Sequence, residues 1–266
     1  MSNTQFYGRF DDSNSQKSQS RDNSNSLGYS ISKVFGYMFL WLLITTVITL
    51  GVAFLFSFLY TRASTDADKG NVLLGGIVAV VIAGISLLIT QIVLHVVLFK
   101  GRHKILVPAI IYCSLLGIVL GFVSFIIDRA YINGWPIIGI AFGATTLTFG
   151  VMALIGLTAK SKLNFLGILG FGILIGLAVT SLFMFIFMIL FPAYFVWWYW
   201  VVSLGTFLAV MLITIWDVRN VKTYAENGAL TDNLSMYLAF NLYSDFIYIF
   251  IRILYFVLII FGKSRN

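Results

Sequence analysis

Hydrophobic positions along the chain fall into seven long runs, which short polar segments separate. Each run exceeds the ~20 residues that an α-helix needs to cross ~30 Å of hydrocarbon. Strands of a membrane barrel would instead show ~10-residue segments of alternating polarity. The pattern therefore predicts an all-α integral membrane fold with seven spanning helices. The predicted spans are residues 34–60, 71–99, 105–127, 136–158, 164–190, 193–216 and 236–261.

Polar segments flank the predicted seven-helix domain, which covers residues 34–262. Residues 1–33 are rich in Ser, Asn, Gln and Asp and have no apolar periodicity, which is typical of a disordered tail. This tail lacks the form of a cleaved signal peptide, because the first apolar run begins only at Val34. Residues 263–266 are a short C-terminal tail. Between the fifth and sixth runs, Pro192 is predicted to mark a tight turn at the membrane surface.

Composition excludes several function classes. Hydrophobic residues make up 60% and charged residues 10% of the chain, against about 45–50% and about 25% in soluble domains. One cysteine and two histidines are too few for an internal disulfide or for a thiolate or histidine metal cluster. Neither a metal nor a cofactor is therefore predicted, and the bilayer is the expected surrounding.

Basic residues are distributed unequally between the two sides of the predicted bundle. Eleven Lys and Arg residues lie on the side of the N-terminus and five on the opposite side. The positive-inside rule then predicts a cytoplasmic N-terminus and a C-terminus outside. The net charge of +7 is spread over several loops and forms no single basic stripe. Membrane orientation explains it more simply than nucleic-acid binding does.

Glycines spaced four residues apart recur in three of the predicted helices. The pairs are Gly117 and Gly121, Gly139 and Gly143, and Gly172 and Gly176. Each pair forms a GxxxG pattern, which allows helices in a membrane to approach closely. The sequence thus offers three candidate helix contacts.

Two acidic residues lie in or beside the last two apolar runs. Asp217 closes the sixth run, and Asp245 lies about nine residues into the seventh, or roughly 13 Å at 1.5 Å per residue. A carboxylate at that depth costs several kcal/mol unless it is neutral, paired or in contact with water. If the two meet, they cannot both ionise cheaply and would share a proton. The alternatives are an interfacial, solvated Asp245 and an Asp217 that simply neighbours Arg219.

Two further titratable residues are candidates for supporting the aspartates. Arg252 follows Asp245 by two helical turns and lies near the same face, so it is either a counter-ion in the bundle or snorkels outward. His95 shares a helix face with Gln91. It can titrate near physiological pH or donate a hydrogen bond to the pair, or it is a solvated residue at the helix end.

Several segments resemble the transmembrane Bax inhibitor motif family. The matching segments are Ala141–Gly150, Gly156–Gly167, Ile215–Lys222 and Leu242–Ile247. Their order and spacing agree from about Val34 to Gly262. Ile215–Lys222 is similar to the family's aromatic-Asp-Thr-Gln-x-Ile-Lys signature, and Leu242–Ile247 to its Leu-Tyr-Leu-Asp-Phe-Ile stretch.

This resemblance implies a bundle whose last helix is central, with the other six around it. It also implies a pH-sensitive leak of cations, chiefly calcium, gated by Asp217 and Asp245, and a place in the cell membrane. The sequence departs from the family in three places. His95 is the nearest candidate for the family's basic residue in the second helix, Leu116 replaces an Asn, and the residues around Asp217 are Trp216, Val218 and Arg219.

Two other functions compete with the leak channel. A non-conducting membrane protein that regulates unknown protein partners would need no ion path. An intramembrane aspartyl protease would also place two aspartates on the sixth and seventh helices. Such proteases have a Gly-x-Gly-Asp motif at the second aspartate and a Pro-Ala-Leu motif later in the chain. Here Leu242-Tyr243-Ser244 precede Asp245 and no Pro-Ala-Leu follows, so no enzyme is predicted.

Overall fold

The computed structural model describes the backbone of residues 4–100, 105–159, 163–190 and 195–262, and the side chains of residues 27–94, 105–159, 163–182, 198 and 200–262. Within these residues the chain forms seven α-helices, and each contains a stretch long and apolar enough to span a membrane. The predicted fold class, a seven-helix membrane bundle, is therefore confirmed. The helices are α1 Thr4–Arg62, α2 Asp66–Lys100, α3 Leu106–Ala130, α4 Gly134–Thr158, α5 Asn164–Leu190, α6 Phe195–Glu226 and α7 Asp232–Phe261.

Several helices extend beyond the apolar runs that predict them. The backbone is helical from Thr4 in α1, in the segment for which the sequence predicts a disordered tail. In α6 the helix continues to Glu226, so Asp217 lies inside this helix and does not close it. Extending an existing helix adds one hydrogen bond per residue, and no proline interrupts either extension. The predicted turn at Pro192 and the tail 263–266 lie outside the described residues.

Helix α7 occupies the inner position of the bundle. It packs against α1, α4 and α6, and the ring of Phe240 on α7 lies 5.1 Å from that of Tyr112 on α3. By contrast, α2 packs on α3 and α1, and α5 packs on α6. The resemblance implies six helices around α7. Among the described residues, α7 contacts α1, α3, α4 and α6, while α2 and α5 pack on the outer sides of these helices.

Glycine allows close approach between α1 and α3. A Cβ atom at Gly117 would lie 2.8 Å from Cβ of Ile48, and one at Gly121 would lie 2.8 Å from the carbonyl oxygen of Thr49. The other two GxxxG pairs, on α4 and α5, have open space where their Cβ atoms would be. Only one of the three candidate patterns is thus a helix contact between described residues.

A tight connection makes α6 and α7 antiparallel neighbours. Gly228 has a φ of +64°, a conformation that glycine adopts without steric cost. The amides of Gly228 and Ala229 donate to the carbonyls of Ala225 and Tyr224, which is the Schellman arrangement that ends a helix. Thr231 then caps α7, since its side chain accepts from the amide of Leu234. These local signals bring the last two helices together.

Candidate functional site

The α6–α7 hairpin brings Asp217 and Asp245 together. At 1.5 Å per residue, Asp217 lies about 14 Å from the loop end of α6 and Asp245 about 20 Å from the loop end of α7. Both residues are half-buried and close enough for their charges to act on each other. The two acids that the sequence singles out thus lie near each other inside the bundle, and they are the candidate site.

The polar surroundings of Asp245 consist of one hydroxyl neighbour and one unpaired carboxyl oxygen. Thr214, one turn before Asp217 on α6, faces Asp245 and donates its hydroxyl proton to the carbonyl of Val210 at 2.8 Å. Among the described atoms, Oδ2 of Asp245 is buried without a hydrogen-bond partner. An unpaired buried acceptor is costly, and a proton shared within the pair relieves that cost.

Helix α4 packs against the part of α6 that contains Asp217. A Cβ atom at Gly156 would lie 2.8 Å from the carbonyl oxygen of Ile215 and 2.8 Å from Cβ of Val218. These two residues lie on either side of Asp217 in the same turn. Beside Asp245, the ring of Phe246 packs edge-on against that of Phe149 at 5.6 Å. A small residue at position 156 therefore lets α4 approach the aspartate pair.

The basic residues predicted to support the pair have other partners. Arg219 lies 3.8 Å from Glu226 within α6, so it is not bound to Asp217. Arg252 donates to the hydroxyls of Ser203 at 3.1 Å and Tyr248 at 3.0 Å, and so links α7 to α6 at another level of the bundle. Of the two alternatives for Arg252, the counter-ion to Asp245 is not formed among the described residues, because its guanidinium binds Ser203 and Tyr248.

The third support candidate is His95. It belongs to α2, but its side chain lies outside the described residues. Its role stays a prediction.

A buried polar contact near the site is missing from the sequence-based prediction. The hydroxyls of Thr45 on α1 and Tyr243 on α7 lie 2.6 Å apart, and that of Thr45 also reaches the carbonyl of Cys113 on α3 at 3.4 Å. Tyr243 is fully buried and precedes Asp245 by two residues. A polar side chain within an apolar run requires a partner, and that signal could have pointed to Thr45. The contact ties three helices together one half-turn from the site.

Comparison with known proteins connects this geometry to a family. A family model described as "Inhibitor of apoptosis-promoting Bax1" matches residues 29–266. The match covers all seven spans and both aspartates, and it confirms the resemblance seen in the sequence. No curated protein matches the chain significantly.

Proposed function

The chain belongs to the family of inhibitors of apoptosis-promoting Bax1, and from this premise we propose that it is a pH-sensitive calcium leak channel. The observation that supports this proposal most strongly is the approach of Asp217 on α6 to Asp245 on α7 inside the membrane-spanning part. A buried acid pair has no role in stabilising a bundle that apolar residues could fill, so we assign it to the gate.

The proposed gate is a latch that depends on one proton. With one proton shared, the two carboxyl groups form a hydrogen bond that holds α6 against α7. Without that proton, two like charges lie in a medium of low dielectric constant and repel each other strongly. Because α4 packs on the turn that contains Asp217, a change in the α6–α7 contact also moves the α4–α6 contact. The protonation state of the pair is thereby coupled to the arrangement of three helices.

Calcium is the proposed permeant ion and not a resident cofactor. Carboxylate oxygens are the ligands that Ca²⁺ prefers, and a divalent cation offsets the repulsion within an ionised pair. Calcium that passes the aspartate pair would thus lower the free energy needed to open the gate. Enzymatic activity is not expected, because Leu242 and Ser244 stand at the two positions where the Gly-x-Gly-Asp motif of an intramembrane aspartyl protease has glycine.

Flux into liposomes tests whether the protein conducts. We expect purified protein in liposomes with an enclosed calcium dye to admit calcium at a rate that changes with pH, while protein-free liposomes do not. The family description refers to inhibition of apoptosis, which favours a non-conducting regulatory protein as the second candidate. The absence of a leak at every pH from 5 to 8 would contradict the channel and leave the regulatory function.

We further propose a multi-pass protein of the cell membrane with a cytoplasmic N-terminus. Single-cysteine variants test this orientation, since Cys113 is fully buried and the parent chain should not react with an impermeant maleimide. We expect Ser264→Cys to be labelled in intact cells and Ser18→Cys only after permeabilisation. Labelling of Ser18→Cys from outside would reverse the proposed topology.

A further inference from the structure

A crevice separates α1 from α4, with α3 and α7 forming its floor. It consists of an inner cavity of about 280 Å³ and an outer cavity of about 320 Å³. Leu50 and Trp135 line both cavities, so the two adjoin. These residues are 51% and 43% exposed at the bundle surface. In a membrane the crevice is therefore open to the lipid.

The inner cavity presents a mainly hydrocarbon surface. Its lining includes Leu42 and Phe246 and four hydroxyl side chains, those of Thr45, Thr46, Thr49 and Ser124. The three threonine hydroxyls donate to carbonyls within the protein, of Trp41 at 3.0 Å, Leu42 at 2.8 Å and Gly117 at 3.3 Å, so they need no partner in the cavity. Water does not fill an apolar cavity, and an empty cavity leaves its lining atoms without dispersion contacts. In a bilayer, the group available to fill such a space is the acyl chain of a lipid.

The outer cavity has a polar end with an acidic group. Asp128 and Ser57 line it together with Phe54 and Trp135. A carboxylate beside aromatic rings is the combination that attracts an alkylammonium group. The guanidinium of the next residue, Arg129, donates to the hydroxyl of Ser57 at 3.2 Å, so a positive group lies behind Ser57 at the same end of the cavity. The polar end is thus complementary to a headgroup that carries both an amine and a phosphate.

The two cavities together have the dimensions and polarity of an amphiphile. Along α1 the crevice extends from Ser57 to Leu42, about 22 Å at 1.5 Å per residue, and its polar end lies near the α1–α2 connection. We propose that this crevice binds one phospholipid with an amine in its headgroup, whose acyl chain fills the inner cavity and whose amine lies beside Asp128. The proposal does not rest on channel activity, and the amine end of the crevice, at Asp128, is separate from the aspartate pair.

Native mass spectrometry of the purified full chain tests the headgroup preference. The protein is offered phosphatidylethanolamine and phosphatidylglycerol with identical acyl chains at equal concentration. We expect about a fivefold preference for phosphatidylethanolamine, the factor that corresponds to about 1 kcal/mol. Asp128→Asn should remove the preference and still bind both lipids, and Asp128→Glu should retain it. Equal binding of the two lipids by the parent, or an unchanged preference in Asp128→Asn, would overturn the proposal.

Variants that fill the crevice test its location. A Cβ atom at Gly139 in the inner cavity meets nothing within 4 Å, so Gly139→Leu should fold and occupy the space, reducing retention of both lipids at least several-fold. Gly172→Leu on α5 is the matched control, since it also meets open space. Leu50→Trp gives a second filling variant, with Leu43→Trp as control because Leu43 is 50% exposed. Parent-like retention in both filling variants would show that lipid binds elsewhere.

Discussion

Asp217→Asn and Asp245→Asn are each expected to flatten the pH dependence of calcium leak into liposomes. Asparagine keeps the shape of the side chain but cannot exchange a proton, so the shared-proton latch between α6 and α7 is lost. In the parent we expect the leak rate to change about tenfold across the titration, which corresponds to ~1.4 kcal/mol between the two protonation states. In each variant the change should fall below about twofold, as measured by dye fluorescence from pH 5 to 8.

Asp232→Asn is the matched control for these variants. Asp232 also belongs to α7 but pairs with Lys33 of α1 at the loop end, away from the site. Its replacement should leave the pH profile in place. Unchanged profiles in both aspartate variants would show that the pH sensor lies elsewhere in the chain.

His95→Ala is expected to shift the midpoint of the leak's pH profile without abolishing the leak, because His95 is the candidate donor to the aspartate pair.

Gly156→Ala is expected to lower the free energy of unfolding by about 1–3 kcal/mol, the usual cost of overpacking. The added methyl group would lie 2.8 Å from the carbonyl oxygen of Ile215, which is backbone and cannot rotate away. Helix α4 must then move away from α6 beside Asp217. The change is measured as the loss of thermal stability in detergent, and the same variant should alter the rate of calcium leak.

Gly150→Ala separates this packing effect from the general effect of adding a methyl group. Gly150 lies on the same helix, and its Cβ would meet nothing within 4 Å. Alanine is a better helix former than glycine by about 1 kcal/mol, so this variant should be as stable as the parent or more so. Equal destabilisation by Gly150→Ala and Gly156→Ala would contradict a specific contact between α4 and α6.

Hydropathy alone identified the seven spans and the all-α class, because the thickness of the bilayer sets the number of apolar residues that a spanning helix needs. The approach of Asp217 to Asp245 followed from the sequence only as a condition. The apolar runs place Asp217 at the end of one span and Asp245 about nine residues into the next, and so at different depths. The helices extend beyond those runs to Glu226 and from Asp232, and this extension shortens the connection and brings the two acids near each other.

Tertiary structure decided which faces of the helices meet. Lipid and helix side chains are equally apolar, so hydropathy does not indicate how a spanning helix is rotated about its axis. For this reason the GxxxG pair on α3 packs against α1 while those on α4 and α5 do not. The sequence also left the partner of Arg252 open, because it does not indicate the rotation and depth of α7. The structure shows that Arg252 binds Ser203 and Tyr248 and not Asp245. The crevice likewise exists only because the tertiary structure places α1 and α4, which are distant in sequence, on either side of a gap above α3 and α7.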